Sequence, residues 1–119
     1  MYDMQYEVED KGRFKMIHII GDITPEASTG LLDNEISKLI NSGQHDFVFN
    51  LERTTYLDSS GISIFIHCLC DVQANNGSIY IIAEDNQVRD VLSMVGIDRL
   101  IKVYGSEAEF IDAQKIEVA

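Results

Sequence analysis

Short apolar runs alternate with stretches of helical spacing along almost the whole chain, and this alternation constrains the fold more than any single residue. Strand-like runs occupy residues 6–9, 14–20, 46–51, 78–83 and 100–104. The first two flank Asp10-Lys11-Gly12, a turn signal that predicts an opening hairpin. In the second run Phe14, Met16, His18 and Ile20 share one face, while Ile17 and Ile19 line the other. Apolar residues on both sides are expected of a strand inside a covered sheet. Gly21 is expected to end it.

Four helices are predicted between and after these strands. Thr24 is a good N-cap, Pro25 a favoured first helical residue, and Glu26 complements the helix dipole. Leu32, Ile36, Leu39 and Ile40 follow at helical spacing, and Asn41-Ser42-Gly43 stops that helix. Residues 52–57 read as a loop, with a second helix starting around Asp58 or Ser59. That helix places Ile62, Phe65, Ile66, Leu69 and Val72 on one stripe and Ser59, Ser63, His67, Cys70 and Asp71 on the other. Gly77 stands where a left-handed C-cap is expected. Residues 86–95 form a third amphipathic segment, interrupted by Gly96. Ser106 followed by Glu109 predicts a capping box for the last helix. The order β-β-α-β-α-β-α-β-α implies right-handed crossovers and an α/β fold. The sheet is expected to be mostly parallel, with an N-terminal antiparallel hairpin strand. If consecutive strands are neighbours, the main helices share one face. A single domain over residues 1–119 is expected, without repeat or linker.

Composition removes several functional classes. The 119 residues suffice for one core, and 45% hydrophobic with 24% charged residues is ordinary for a globular chain. No apolar run approaches the ~18 residues of a membrane span. The N-terminus is polar and acidic rather than a signal peptide, so a cytoplasmic protein is expected. Nine basic against twenty acidic residues give a net charge of −11. Nucleic acid would be repelled by such a surface, and a protein partner carrying a basic patch is favoured. Lys11, Arg13 and Lys15 alternate along a strand beside Glu7, Glu9 and Asp10 and read as a solvated face. Cys68 and Cys70 are two apart on a helix, point to different sides, and read as small buried or half-buried thiols. His18, His45 and His67 lie in separate elements without metal-ligand spacing, so neither a metal nor a cofactor is expected.

In open α/β sheets, sites form outside the carboxyl ends of the strands. Here those ends are residues 21–24, 53–60, 84–86 and 104–106. The longest holds Tyr56-Leu57-Asp58-Ser59-Ser60-Gly61. A phosphate on a hydroxyl at a helix start would be stabilised by the unpaired N–H groups and the dipole. Spacing alone favours a plainer role, with Asp58 or Ser59 capping the helix. Enzyme signatures are missing: there is no Gly-x-Ser-x-Gly elbow and no Gly-rich phosphate loop. His67 lies eight residues beyond Ser59, roughly 12 Å along a helix, too far to act as its base. A receiver-like domain phosphorylated on Asp58 would need an acidic pair after its first parallel strand and a lysine after its last. This chain offers only Asp22 and places Lys102 within the strand.

Phe49-Asn50-Leu51, a spacer, and Tyr56-Leu57-Asp58-Ser59-Ser60-Gly61-Ile62 resemble the signature of STAS domains, specifically bacterial anti-sigma factor antagonists. Gly21-Asp22-Ile23 resembles that family's Gly-Glu-Leu turn. Met94-Val95-Gly96-Ile97 and 101–104 resemble its Met-Ser-Gly-Leu segment and last strand, and Ser106-Glu107 the start of its final helix. The resemblance implies that Ser59 is phosphorylated by a partner that is both anti-sigma factor and serine kinase. It also implies a cycle in which unmodified protein binds that partner, phosphorylated protein is released, and a serine phosphatase resets the switch. Asp58, Ser60, Gly61, Asp22 and Thr24 would then support the site. Ile62, Ser63, Ile66 and His67 would face the partner, although helical periodicity also allows both isoleucines a place in the core. Thr24 and Ser63 depart from the family pattern, which carries Asp and Gly there. A monomer or weak dimer is expected. The alternative within the same family is a scaffold whose serine is never modified.

Overall fold

The computed structural model describes residues 4–24 and 29–116. Strands β1 (Gln5–Lys11) and β2 (Phe14–Ile23) form the predicted antiparallel hairpin. Then follow α1 (Thr29–Asn41), β3 (Asp46–Asn50), β4 (Thr54–Leu57), a 3-10 turn (Ser59–Ile62) and α2 (Ser63–Ala74). β5 (Ser78–Ile82), α3 (Gln87–Met94), a second 3-10 turn (Ile97–Arg99), β6 (Lys102–Tyr104) and α4 (Glu107–Gln114) complete the chain. Pro25 and Glu26, read above as the first helical residues, lie outside the described residues. Thr24 closes the segment after β2, and α1 is described from Thr29.

The hairpin turn falls at Gly12-Arg13, not at residues 10–12, because Lys11 still pairs with Phe14. Polar side chains also meet across the hairpin: Lys15 bonds Asp10 opposite it, and His18 Nε2 lies 2.7 Å from Glu9 Oε1 on the diagonal. A carboxylate only accepts, so Nε2 is the donor of that contact. Gly12, at φ +60°, supplies the left-handed backbone of the turn.

The sheet runs β1-β2-β3-β5-β6, with β4 also paired to β2. All pairs except β1–β2 are parallel. This sequential order has no reversal of the kind that defines the binding crevice of doubly wound receiver-like sheets, which counts against the phosphoaspartate alternative. Repeated crossovers of one hand place α1, α2 and α3 together, as expected. Leu32, Ile36, Phe65, Cys68, Val88 and Leu92 pack there on Ile17, Ile19, Phe47, Phe49 and Ile81. The opposite face carries Phe14, Met16, Val48 and Ile82, and α4 covers it with Phe110. The Phe110 ring centroid lies 5.1 Å from that of Phe14, edge-on. Ser106 caps α4 by accepting from Glu109 N at 3.1 Å, and the Glu109 carboxylate takes the Gly105 N–H at 3.0 Å.

Three local readings are corrected. Gly21 does not end β2 but forms an irregularity at φ +97°, where the register shifts and the strand passes from β3 to β4. Gly77 is not the left-handed residue after α2; Asn76 is, at φ 57°. Gly77 is needed for closeness instead, because a Cβ there would stand 1.9 Å from the His45 carbonyl oxygen. Cys68 is buried as expected, whereas Cys70 is exposed.

Candidate functional site

Residues 54–57, read as loop, are a strand that carries the site. β3 ends at Asn50, and Thr54 N donates to Leu51 O across an intervening tight turn. The chain thus re-enters beside β2, with Asp22 opposite Tyr56 and Ile23 opposite Leu57. The buried Thr54 hydroxyl donates to Ile19 O at 2.7 Å and fixes the start of this short strand. Thr-Thr-Tyr-Leu is β-prone, so propensity offered a signal for it.

The pairing brings the predicted site residues together. Asp58 N donates to Ile23 O at 2.8 Å, and Thr55 Oγ1 donates to the Asp22 carboxylate. Gly61 passes directly against Ile23: a Cβ there would lie 2.7 Å from Ile23 Cγ2 and 3.2 Å from its carbonyl oxygen. That contact explains the glycine after the serine pair. Ser60 lies within the same 3-10 turn. Thr24, next to Ile23, is half-buried.

Capping differs from expectation. The α-helix begins at Ser63, its N-cap is Ile62 in helical conformation, and no side chain bonds the N-terminus of α2. Asp58 instead accepts Gly61 N at 2.8 Å through its backbone, closing an i→i+3 turn. The tighter turn fits because Gly61 can approach Ile23. Ser59 therefore stands exposed at the head of the turn, ahead of α2.

Beyond Ser59 the helix presents Ser63 and His67 to solvent. Ile66 is half-buried, and Ile62 is 8% exposed and belongs to the core. Of the four residues expected to face a partner, Ser63 and His67 are therefore exposed, Ile66 is half-buried and Ile62 is in the core. His67 also lines a groove of about 300 Å³ between α1 and α2, with Asp33, Ser37, Cys70 and Asp71. Among the described residues, no group of three or more His, Cys, Asp or Glu could hold a metal ion.

Gln87, the first residue of α3, was not anticipated. Its Nε2 donates to Leu57 O at 3.0 Å, and its Oε1 accepts from Leu57 N at 3.2 Å. No spacing in the sequence signals this contact, because thirty residues separate the two.

A mixed sheet with an antiparallel leading edge, three helices on one face, and an exposed serine at the head of a turn defines a class of small α/β domains. The profile of the STAS domain family matches residues 5–110, and the chain belongs to that family. It is 23% identical over 112 residues to an anti-sigma-B factor antagonist of Staphylococcus aureus (strain NCTC 8325), covering 90% of this chain and 99% of that protein. Its fold resembles that of an anti-sigma factor antagonist from Mycobacterium paratuberculosis, with a TM-score of 0.81 and 18% identity over 93% of each chain. It also resembles the Bacillus cell fate determinant SpoIIAA in the phosphorylated form. There the TM-score is 0.71 and the identity 22%, over 92% of this chain and 98% of the other. No helix among the described residues is long and apolar enough to cross a membrane.

Proposed function

We propose that this protein is a cytoplasmic, non-enzymatic anti-sigma factor antagonist whose partner choice is set by phosphorylation of Ser59. Unmodified, it binds an anti-sigma factor that is also a serine kinase; phosphorylated, it is released, and a serine phosphatase resets it. The observation that carries the reading is the exposed Ser59 hydroxyl at the head of the 59–62 turn, on a mount fixed by Ile23. Relatives named as anti-sigma-B factor antagonists, and a fold neighbour described in a phosphorylated form, support it.

The physics gives the direction of the switch. Phosphorylation adds about −1.5 to −2 charge and three acceptor oxygens. The backbone N–H groups at the start of the turn receive that charge locally, so the fold tolerates it. At a covered interface the same group lies near Asp22 and Asp58 and must be desolvated. Without a basic pocket this costs several kcal/mol, and ~1.4 kcal/mol is already tenfold in affinity. Release therefore follows from desolvation and crowding at the contact rather than from unfolding.

Incubation with the cognate kinase and ATP, followed by mass spectrometry, is expected to place one phosphate on Ser59. Ser59→Ala is expected to bind the kinase constitutively. Equal kinase affinity of modified and unmodified protein, with unchanged circular dichroism, would sink the switch; a chain never phosphorylated would leave a STAS scaffold.

A further inference from the structure

Leu57 is the last residue of β4, and its side chain is fully buried. Along a strand, successive residues turn their backbone groups to opposite sides. Asp58 N points to β2, so the Leu57 N–H and C=O point the other way, towards the side where β5 has already ended at Ile82. A buried N–H and C=O need partners there.

The geometry points to Gln87 as the positioning residue of Ser59, a proposal that rests on Ser59 being the modified residue. Its carboxamide takes the place of a missing strand beside β4, donating to Leu57 O and accepting from Leu57 N. The base of that side chain is itself fixed, because Asn86 caps α3 by accepting from Val88 N and Arg89 N. Ile23 holds Asp58 on the β2 side and Gln87 holds Leu57 on the other. Together they fix the two residues that precede Ser59. Only a side chain with a donor and an acceptor in one plane satisfies both Leu57 groups. Glutamate would turn a second acceptor on the Leu57 carbonyl, and methionine would keep the length without either bond.

The test uses Gln87→Met and Gln87→Glu in the full chain. Amide hydrogen exchange at Leu57 is expected to accelerate about tenfold, the factor corresponding to one lost hydrogen bond. The Ser59 amide resonance should shift, while exchange at Ile17, Phe49 and Ile81 stays as in wild type. With the serine kinase that modifies the wild-type chain, kcat is expected to fall by a similar factor with KM little changed. Wild-type exchange at Leu57, or acceleration spread equally over the core amides, would overturn the positioning role. So would an unaltered kcat in a variant whose Leu57 exchange has risen. A wild-type chain that is not modified on Ser59 would instead overturn the reading of the serine, and the Leu57 exchange would still report whether Gln87 holds the strand end.

Discussion

The side-chain amide of Gln87 meets the backbone of Leu57 at 3.0 and 3.2 Å, so a residue of α3 completes the hydrogen bonding of β4. The Ser59 turn is thereby carried by three separate stretches of chain: β2, β4 and the start of α3. Rigidity at this point suits a switch read by surface charge. In the proposed switch the hydroxyl is presented in one place, and phosphorylation would alter what a partner meets without requiring the fold to move.

Gly61→Ala is expected to destabilise the fold by about 1–3 kcal/mol, the usual range for overpacking a filled site. The added methyl would meet Ile23, whose side chain is buried and whose carbonyl is held by Asp58 N. Urea unfolding checks the magnitude. Ser59→Ala, at an exposed position, should by contrast stay within about 0.5 kcal/mol of wild type.

The two cysteines should separate sharply in reactivity. Burial, followed by the nearby Asp71 and Asp33 charges, pushes the Cys68 thiol up to about 12, whereas Cys70 is exposed. A thiol reagent at neutral pH is expected to modify Cys70 in the native protein and to reach Cys68 only on unfolding. The sign of the linkage follows: Cys68 stays neutral in the fold above its ordinary value of 9.0, so stability falls as pH rises past about 9. Mass spectrometry of labelled peptides and alkaline denaturation check the two halves.

The hairpin adds a modest acid sensitivity. His18, with Lys11 contributing less, holds the Glu9 carboxyl below its ordinary 4.5. A lowered carboxylate stabilises the fold above the unfolded value and loses that contribution as pH falls through the folded one. Glu9→Gln should therefore be slightly less stable than wild type at neutral pH, with the two profiles converging as pH falls below about 4.5. Because Glu9 is well exposed, the effect is expected to be small.

Phe110→Ala is expected to cost about 3–5 kcal/mol, as large-to-small changes of a buried aromatic do. Phe110 packs on Phe14, Tyr80 and Tyr104 and is the fully buried residue of α4. Loss of α4 protection in hydrogen exchange ahead of the other helices would accompany it. A uniform loss across the chain would refute this independence.

Features governed by neighbours in sequence were legible before the fold was known. The alternation of runs gave the sheet, Ser106 and Glu109 gave the start of α4, and the Tyr56–Ile62 pattern marked the site. What escaped depends on distant contacts. Gly77 looked like a helix stop because nothing in the sequence shows His45 pressing against it. β4 looked like loop because four residues are too few for periodicity, and its pairing is supplied by the extended end of β2. Gln87 was invisible for the same reason. Ile62 falls by spacing on the apolar stripe with Phe65, and its burial in the core agrees with that stripe rather than with a place at a partner surface.

The borders of the sheet limit how anything can attach to it. β1, one border, reads Gln-Tyr-Glu-Val-Glu-Asp-Lys, with charges along its second half, and β6, the other, is three residues long. A charged ribbon and a stub are poor templates for an incoming extended segment. Strand addition, a common way for small domains to capture peptides, is thus discouraged at both flanks. The proposed switch would use instead the rim where the strands give way to helices, which is where Ser59 stands.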